Sequence, residues 1–311
     1  MPKVLITPRS YGMFNKEIYS MWEKENYEVI REIGPLDRER MMELMEDVDA
    51  LIVGTDELTE DILKAANKLK IISKYGVGID NIPKDFAEEK GIKVLNTPGV
   101  NTEAVADYTF SLLLSVARHV PQSHEKLLHG QWAKSVGTEV YGKTIGILGF
   151  GAIGRAVAKR ARGFDMDILA YDLFPNYELA EEMDVKISEF DTIIEQSDIL
   201  SVHLPLVEET KNLLNYPMFK RMKKNSIIVN TARGGIINEA DLAKALKEEL
   251  IFGAGMDVFS TEPLTESPLF ECENAILTPH NAAASSEAIT RMTVQATQNV
   301  LEFFTEKQES V

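Results

Sequence analysis

A chain of 311 residues, 44% apolar and 26% charged, has the makeup of about two globular domains at roughly 150 residues each. Its net charge of −16 excludes nucleic acid or an anionic membrane surface as the main partner, since both would be repelled. One cysteine, Cys272, excludes an internal disulfide framework, fits a reducing compartment and reads as a packing or surface thiol.

The chain opens with Met1-Pro-Lys-Val-Leu-Ile-Thr, which runs directly into a strand without the apolar core of a signal peptide. No apolar run approaches the roughly 18 residues of a membrane span, so the expectation is a cytoplasmic, enzyme-sized protein with no membrane partner. Strands are predicted at 3–7, 27–31, 50–53, 70–74 and 92–95, with helices between them near 15–24, 37–45, 59–67 and 83–90. Such alternation implies a parallel sheet covered on both faces. The turn-rich Asn96-Thr97-Pro98-Gly99-Val100-Asn101 reads as a crossover. A long helix is predicted from Thr102 to about His119, capped by Asn101 or Thr102, followed by a polar arm around 124–136 that carries Trp132.

Alternation resumes with strands at 144–148, 167–172, 185–187, 198–204, 226–231, 252–258 and 275–278. A last helix, from about Ser285 to Phe304, carries Ile289, Met292, Val300, Leu301 and Phe304 on one broad face. It lies beyond the last strand of the second sheet and is expected to fold back on the first domain. The predicted fold class is α/β with two doubly wound parallel-sheet domains. The expected boundaries are 1–99 with 285–311 for a discontinuous first domain, and 100–284 for the second.

Gly149-Phe150-Gly151-Ala152-Ile153-Gly154 follows one strand and opens a helix, the context that a dinucleotide fingerprint requires. The first glycine permits a tight turn, the second admits a pyrophosphate to the backbone, and the third lets helix and strand pack. Ala152 and Ile153 open the helix, whose free N–H groups and dipole favour phosphate. Asp172 closes the next strand about 20 positions on, where a carboxylate binds the adenosine ribose and repels a 2′-phosphate. Leu173, Phe174, Pro175 and Asn176 follow with no cation, so NAD is the expected cofactor.

Ligands of open α/β sheets sit beyond the carboxyl ends of strands. Arg233, Glu262 and His280 each follow a strand of the second sheet, on the edge that carries the glycines. Together they suit hydride transfer to a carbonyl. Histidine is a proton donor near working pH, a neighbouring carboxylate favours its charged form, and arginine forks onto a planar carboxylate. His119, His124 and His129 share no spacing with carboxylates and read as surface residues, so no metal site is expected.

Arg233 in Thr-Ala-Arg-Gly-Gly, Glu262 in Asp-Val-Phe-Ser-Thr-Glu-Pro and His280 in Thr-Pro-His resemble the D-isomer-specific 2-hydroxyacid dehydrogenases. So do the glycine fingerprint and the stretch Asn96-Thr-Pro-Gly…Thr-Glu-Ala-Val-Ala-Asp107. The resemblance covers essentially the whole chain, and its nearest look is to short phosphoglycerate dehydrogenases. It implies a flavodoxin-like substrate domain, a Rossmann NAD domain set between its halves, and an active site in the cleft. By resemblance His280 is the acid/base, Glu262 its partner and Arg233 the substrate clamp. Asp257 touches the nicotinamide carboxamide, Thr231 and Ala232 line its pocket, and His203, Pro205 and Thr210 form an adenosine-side loop. His203 equally suits a packing residue at a strand end. Lys74-Tyr75-Gly76-Val77-Gly78 matches the substrate loop, where successive N–H groups can form a concavity for an anion. The long helix from Thr102 and the arm with Trp132 match the family's homodimer interface, for which an exposed tryptophan suits an anchor.

The implied activity is NAD-dependent interconversion of a small anionic D-2-hydroxy acid and its 2-oxo acid, with 3-phosphoglycerate one candidate. Asp56 and Glu57 follow the third strand, where phosphoglycerate-specific members carry basic residues, and two carboxylates there would repel a phosphate. Glyoxylate or hydroxypyruvate is the alternative. Formate oxidation would call for glutamine at position 262. A different class, an NAD-sensing corepressor-like binding protein, would bind NAD without appreciable turnover.

Overall fold

The computed structural model describes residues 1–309 and divides into two compact units. The first comprises Met1–Asn101 with the segment from Ala284 onward; the second is Thr102–Ala283.

In the first unit strands and helices alternate in chain order. They are β1 (Lys3–Ile6), α1 (Ile18–Lys24), β2 (Glu28–Arg31), α2 (Arg38–Met45), β3 (Ala50–Val53), α3 (Glu60–Ala65), β4 (Ile71–Lys74), α4 (Lys84–Glu89) and β5 (Lys93–Leu95). The sheet is wholly parallel in the order β2-β1-β3-β4-β5. All four residues of β3 and of β4 are buried, as expected of central parallel strands covered on both faces. One covering face packs Leu5, Leu51, Val53 and Ile72 on Met41, Met45, Ile62 and Leu63. The last helix, numbered α12 (Ser286–Glu309) in chain order, belongs to this unit. Ser285 caps it by accepting from Ala288 N at 3.1 Å. Thr297 Oγ1 meets the buried Tyr11 hydroxyl at 2.5 Å, and Tyr11 also accepts from Trp22 Nε1 at 2.9 Å. Burial raises the Tyr11 phenol to about 12, outweighing the opposite pull of these two bonds, so it stays neutral.

The second unit contains α5 (Thr102–Arg118), α6 (Val120–Leu128), β6 (Thr144–Leu148), α7 (Ala152–Ala161), β7 (Asp167–Tyr171), α8 (Tyr177–Glu182), β8 (Lys186–Ile187) and α9 (Phe190–Gln196). It continues with β9 (Ile199–Val202), α10 (Tyr216–Phe219), β10 (Ile227–Asn230), α11 (Glu239–Lys247), β11 (Gly253–Met256) and β12 (Ala275–Leu277). Its strands are parallel in the order β12-β11-β10-β9-β6-β7-β8. Chain order reverses between β6 and β9, which opens a crevice at their carboxyl ends. One face of the sheet is covered by α5 and α7 through Phe110, Leu113, Val157 and Ala161. The other is covered by α9 and α11 through Ile193, Ile194, Leu242 and Leu246.

The long helix ends at Arg118, within a residue of where the sequence reading places it. His119 turns left-handed at φ 51°, and α6 begins with Pro121 in its first turn. A helix running on would need an N–H at Pro121, which proline lacks. The carbonyl of Ala117 instead accepts Thr138 N at 2.8 Å, which docks the end of the arm on α5. The arm predicted from residue 124 is thus helical through Leu128. Among the described residues no helix is long and apolar enough to cross a membrane, and no group of three metal-ligating side chains forms.

Candidate active site

The fingerprint loop connects β6 to α7, and each glycine meets a different neighbour. Gly149 stands at φ +96°, and a Cβ there would lie 2.6 Å from the His203 carbonyl oxygen. A Cβ on Gly154 would lie 2.1 Å from the Gly149 carbonyl oxygen, so this glycine closes α7 onto its own loop. A Cβ on Gly151 would meet nothing within 4 Å. Two glycines therefore pack the loop and the middle one leaves space beside the start of α7, where Ala152, Ile153 and Gly154 offer uncapped N–H groups. Asp172 accepts Phe150 N at 2.7 Å and Phe174 N at 2.9 Å, which fixes its carboxylate at the mouth of this loop. These residues fit a dinucleotide.

Beyond β9, Nε2 of His203 meets Ser201 Oγ at 2.7 Å, while its enclosed Nδ1 has no partner among the described residues. Burial pushes this imidazole down to about 3 and keeps it neutral. Thr210 is buried and ties the following loop together, donating to Pro205 O at 2.7 Å and accepting from Val207 N at 2.9 Å.

The chemistry-bearing side chains follow β10, β11 and β12, three adjacent strands. Nδ1 of His280 meets Glu262 Oε2 at 2.7 Å, and the other oxygen of Glu262 accepts Phe259 N at 3.0 Å. Burial pushes the Glu262 carboxyl up, but it is outweighed by the hydrogen bond and charge of His280, the Phe259 amide and the Arg233 charge. The carboxyl therefore sits below its usual range. His280 itself is at φ 54°, an uncommon conformation for a residue with a side chain. Its N–H is held by Asp257 O at 2.9 Å and Thr278 O at 3.0 Å.

Asp257 is fully buried. Its carboxylate accepts Thr278 Oγ1 at 2.6 Å, Asn281 N at 2.8 Å and Ala282 N at 2.8 Å, so the turn bearing His280 wraps around it. Burial raises its pKa despite these donors. Arg233 donates from Nη1 to Ala232 O at 2.6 Å. Its loop is shaped by buried Asn230, whose side chain accepts Ala232 N at 3.0 Å and donates to Arg233 O at 2.9 Å. Thr231 is buried and shares a 2.8 Å hydrogen bond with Thr109 of α5. A Cβ on Gly234 would lie 1.9 Å from the Phe259 carbonyl, so only glycine lets the Arg233 loop touch the loop that carries Glu262. The sequence reading missed Asn230 and Gly234. The doubled glycine after Arg233 was the available signal for the second.

In the first unit, Lys74-Tyr75-Gly76-Val77-Gly78 turns at the end of β4. The buried Lys74 ammonium donates to Gly54 O and to Asn81 Oδ1, the latter at 2.8 Å, rather than extending as a solvated lysine. Tyr75 is buried and donates to Ile289 O at 3.1 Å. The sequence reading set Asp56 and Glu57 together against a phosphate. Asp56 instead points into the unit and accepts Thr7 Oγ1 at 2.5 Å and Leu36 N at 2.8 Å, because a buried carboxylate must be hydrogen-bonded. Its neighbour Glu57 is exposed. Cys272 is a buried packing thiol.

A parallel sheet with this glycine loop, and a histidine–carboxylate pair on the same edge, defines a nicotinamide-dependent oxidoreductase. Residues 110–282 match the D-isomer specific 2-hydroxyacid dehydrogenase, NAD binding domain. The chain is 40% identical over 312 residues to the glyoxylate reductase of Thermococcus litoralis, covering 97% of this chain and 93% of that protein. It is 40% identical to the D-3-phosphoglycerate dehydrogenase of Methanocaldococcus jannaschii over 84% of this chain but only 52% of that protein. The crystal structure of the TT0316 protein from Thermus thermophilus superposes with a TM-score of 0.88 at 34% identity, covering 96% of each chain. The chain belongs to the D-isomer-specific 2-hydroxyacid dehydrogenase family. It is an NAD-dependent oxidoreductase acting on a small 2-hydroxy or 2-oxo acid.

Proposed function

We propose that this dehydrogenase reduces glyoxylate, or a 2-oxo acid of similar size such as hydroxypyruvate. The first unit serves as the substrate domain and the second as the NAD domain. One observation carries the reading: the 2.7 Å pair of His280 and Glu262, with the Arg233 charge acting on the same carboxylate. His280, as imidazolium, gives its Nε2 proton to the oxygen of the reduced carbonyl, and Glu262 on Nδ1 stabilises that charged ring. Arg233 holds the substrate carboxylate through its fork of donors. In the first unit, the Tyr75–Gly78 turn is read as the substrate loop, whose successive N–H groups suit an anion. NADH supplies the hydride when bound. Gly149, Gly151, Ala152, Ile153 and Gly154 would hold its pyrophosphate and Asp172 its adenosine ribose. His203, Pro205 and Thr210 would flank the adenosine, and Thr231, Ala232 and Asp257 the nicotinamide.

Glyoxylate stands ahead of 3-phosphoglycerate because the glyoxylate reductase of T. litoralis is matched over nearly its full length, and the phosphoglycerate dehydrogenase over about half. The inward-facing Asp56 removes one of the two charges set against a phosphate, so the comparison of lengths carries this choice. A panel of glyoxylate, hydroxypyruvate and pyruvate with NADH, and of 3-phosphoglycerate with NAD, followed by NADH absorbance, tests it. We expect the highest kcat/KM with glyoxylate or hydroxypyruvate, and activity with 3-phosphoglycerate alone would refute the assignment.

We also propose a homodimer built through α5 and the arm. Trp132 and Val136 are 88% and 90% exposed in the single chain and Leu128 72%, an apolar set that suits a second copy. The cytoplasm is the proposed compartment, supported by a lone buried cysteine.

A further inference from the structure

We propose that Asn96 and Thr97 are positioning residues for substrate binding, because they set the direction in which the turn after β4 presents its N–H groups. The proposal rests on the reading of Tyr75–Gly78 as the substrate loop. Thr97 directly follows Asn96 beyond β5, is fully buried, and grips Gly76 on both of its polar groups. Gly76 N donates to Thr97 Oγ1 at 3.0 Å, and Gly76 O accepts Thr97 N at 3.0 Å and Oγ1 at 3.1 Å. Asn96 Nδ2 donates to Val77 O at 2.7 Å. Two consecutive carbonyls, those of Gly76 and Val77, are thereby drawn toward the end of β5.

A trans peptide is planar, and its N–H points opposite to its C=O. Fixing the carbonyl of Gly76 therefore fixes the N–H of Val77, and fixing the carbonyl of Val77 fixes the N–H of Gly78. Both N–H groups are turned away from the β5 side. Among the described residues neither has a protein acceptor, and Val77 is 38% exposed. Left alone, a turn of Gly76-Val77-Gly78 would sample many peptide orientations, since Gly76 stands at φ +134° and Gly78 carries no side chain. Two donors held ready to receive one carboxylate bind it without first losing that freedom.

The clamp is itself anchored. Asn299 of α12 donates from Nδ2 to Asn96 O at 3.0 Å and to Ser73 Oγ of β4 at 3.1 Å, joining the ends of β4 and β5. Tyr75, at the front of the turn, reaches Ile289 O on the same helix. The helix that closes the first unit thus supports the loop from behind. Neither Asn96 nor Thr97 is required to touch substrate.

The test compares wild type with Asn96→Ala, Thr97→Val and Thr97→Ser, using oxamate as an unreactive carboxylate probe on the NADH-bound enzyme. We expect Asn96→Ala and Thr97→Val each to raise the glyoxylate KM and the oxamate Kd by about tenfold, with NADH affinity and kcat within about twofold. Thr97→Ser keeps the hydroxyl and should remain close to wild type. Amide chemical shifts of Val77 and Gly78 separate the layers of the argument. If they do not move on adding oxamate to wild type, the substrate-loop reading falls and the clamp with it. If they move in wild type and both variants bind oxamate normally, the loop stands and the clamp is refuted. Should Thr97→Val fold poorly, Asn96→Ala, at a half-buried position, carries the comparison alone.

Discussion

At the scale of single residues, the role proposed for the pair His280–Glu262 predicts both a rate and a pH dependence of stability. Glu262 titrates below its usual value near 4.5, so its charged form is favoured in the folded protein. A carboxyl depressed in this way adds stability above its unfolded pKa and loses it as pH falls through the folded value. Glu262→Gln should therefore show a shallower loss of melting temperature on acidification than wild type. It should also lower kcat/KM for reduction by at least about tenfold, because the carboxylate that holds the His280 ring is gone. Melting curves across pH and steady-state rates of the two proteins check both effects.

Residue chemistry was readable where the residue type and its place after a strand together suggest a role. Arg233, Glu262 and His280 stand out because each follows a strand of one parallel sheet, and the structure brings them behind adjacent strands. Asn230 and Gly234 went unread because they serve their own backbone: one brackets the Arg233 loop, the other lets it touch Phe259. The direction of Asp56 was equally hidden. It depends on Thr7 and Leu36, which sequence spacing does not bring to it.

At the scale of elements, the glycine loop separates packing from binding. Gly149 and Gly154 are hemmed in by backbone, whereas Gly151 faces open space. Alanine at 149 or 154 should cost stability of about 1–3 kcal/mol or more through backbone displacement. Gly151→Ala, at φ −72°, should melt within a degree or two of wild type yet bind NADH at least about tenfold more weakly. Calorimetry and fluorescence titration distinguish these outcomes; equal losses of stability in all three would contradict the division of labour. The elements themselves were largely legible, since strands and helices alternate throughout. The end of the long helix near His119 was legible too, where Pro121 denies the Ala117 carbonyl its helical donor. Helix α6 was not, since none of its residues is buried.

At the scale of the whole molecule, the exposed arm and the reaction are the two proposals that reach beyond one fold. Replacing Trp132 and Leu128 with aspartate should convert a dimer to a monomer in sedimentation, while wild type sediments as a dimer at the same concentration. A monomeric wild type would dismiss the interface. The central claim is that the chain is a 2-oxo acid reductase whose proton comes from His280. It is tested most directly by the steady-state rate of NADH oxidation with glyoxylate in wild type and in His280→Ala. We expect NADH binding to persist and kcat/KM to fall by about 100- to 10,000-fold in the variant. Turnover within a few-fold of wild type would contradict the account.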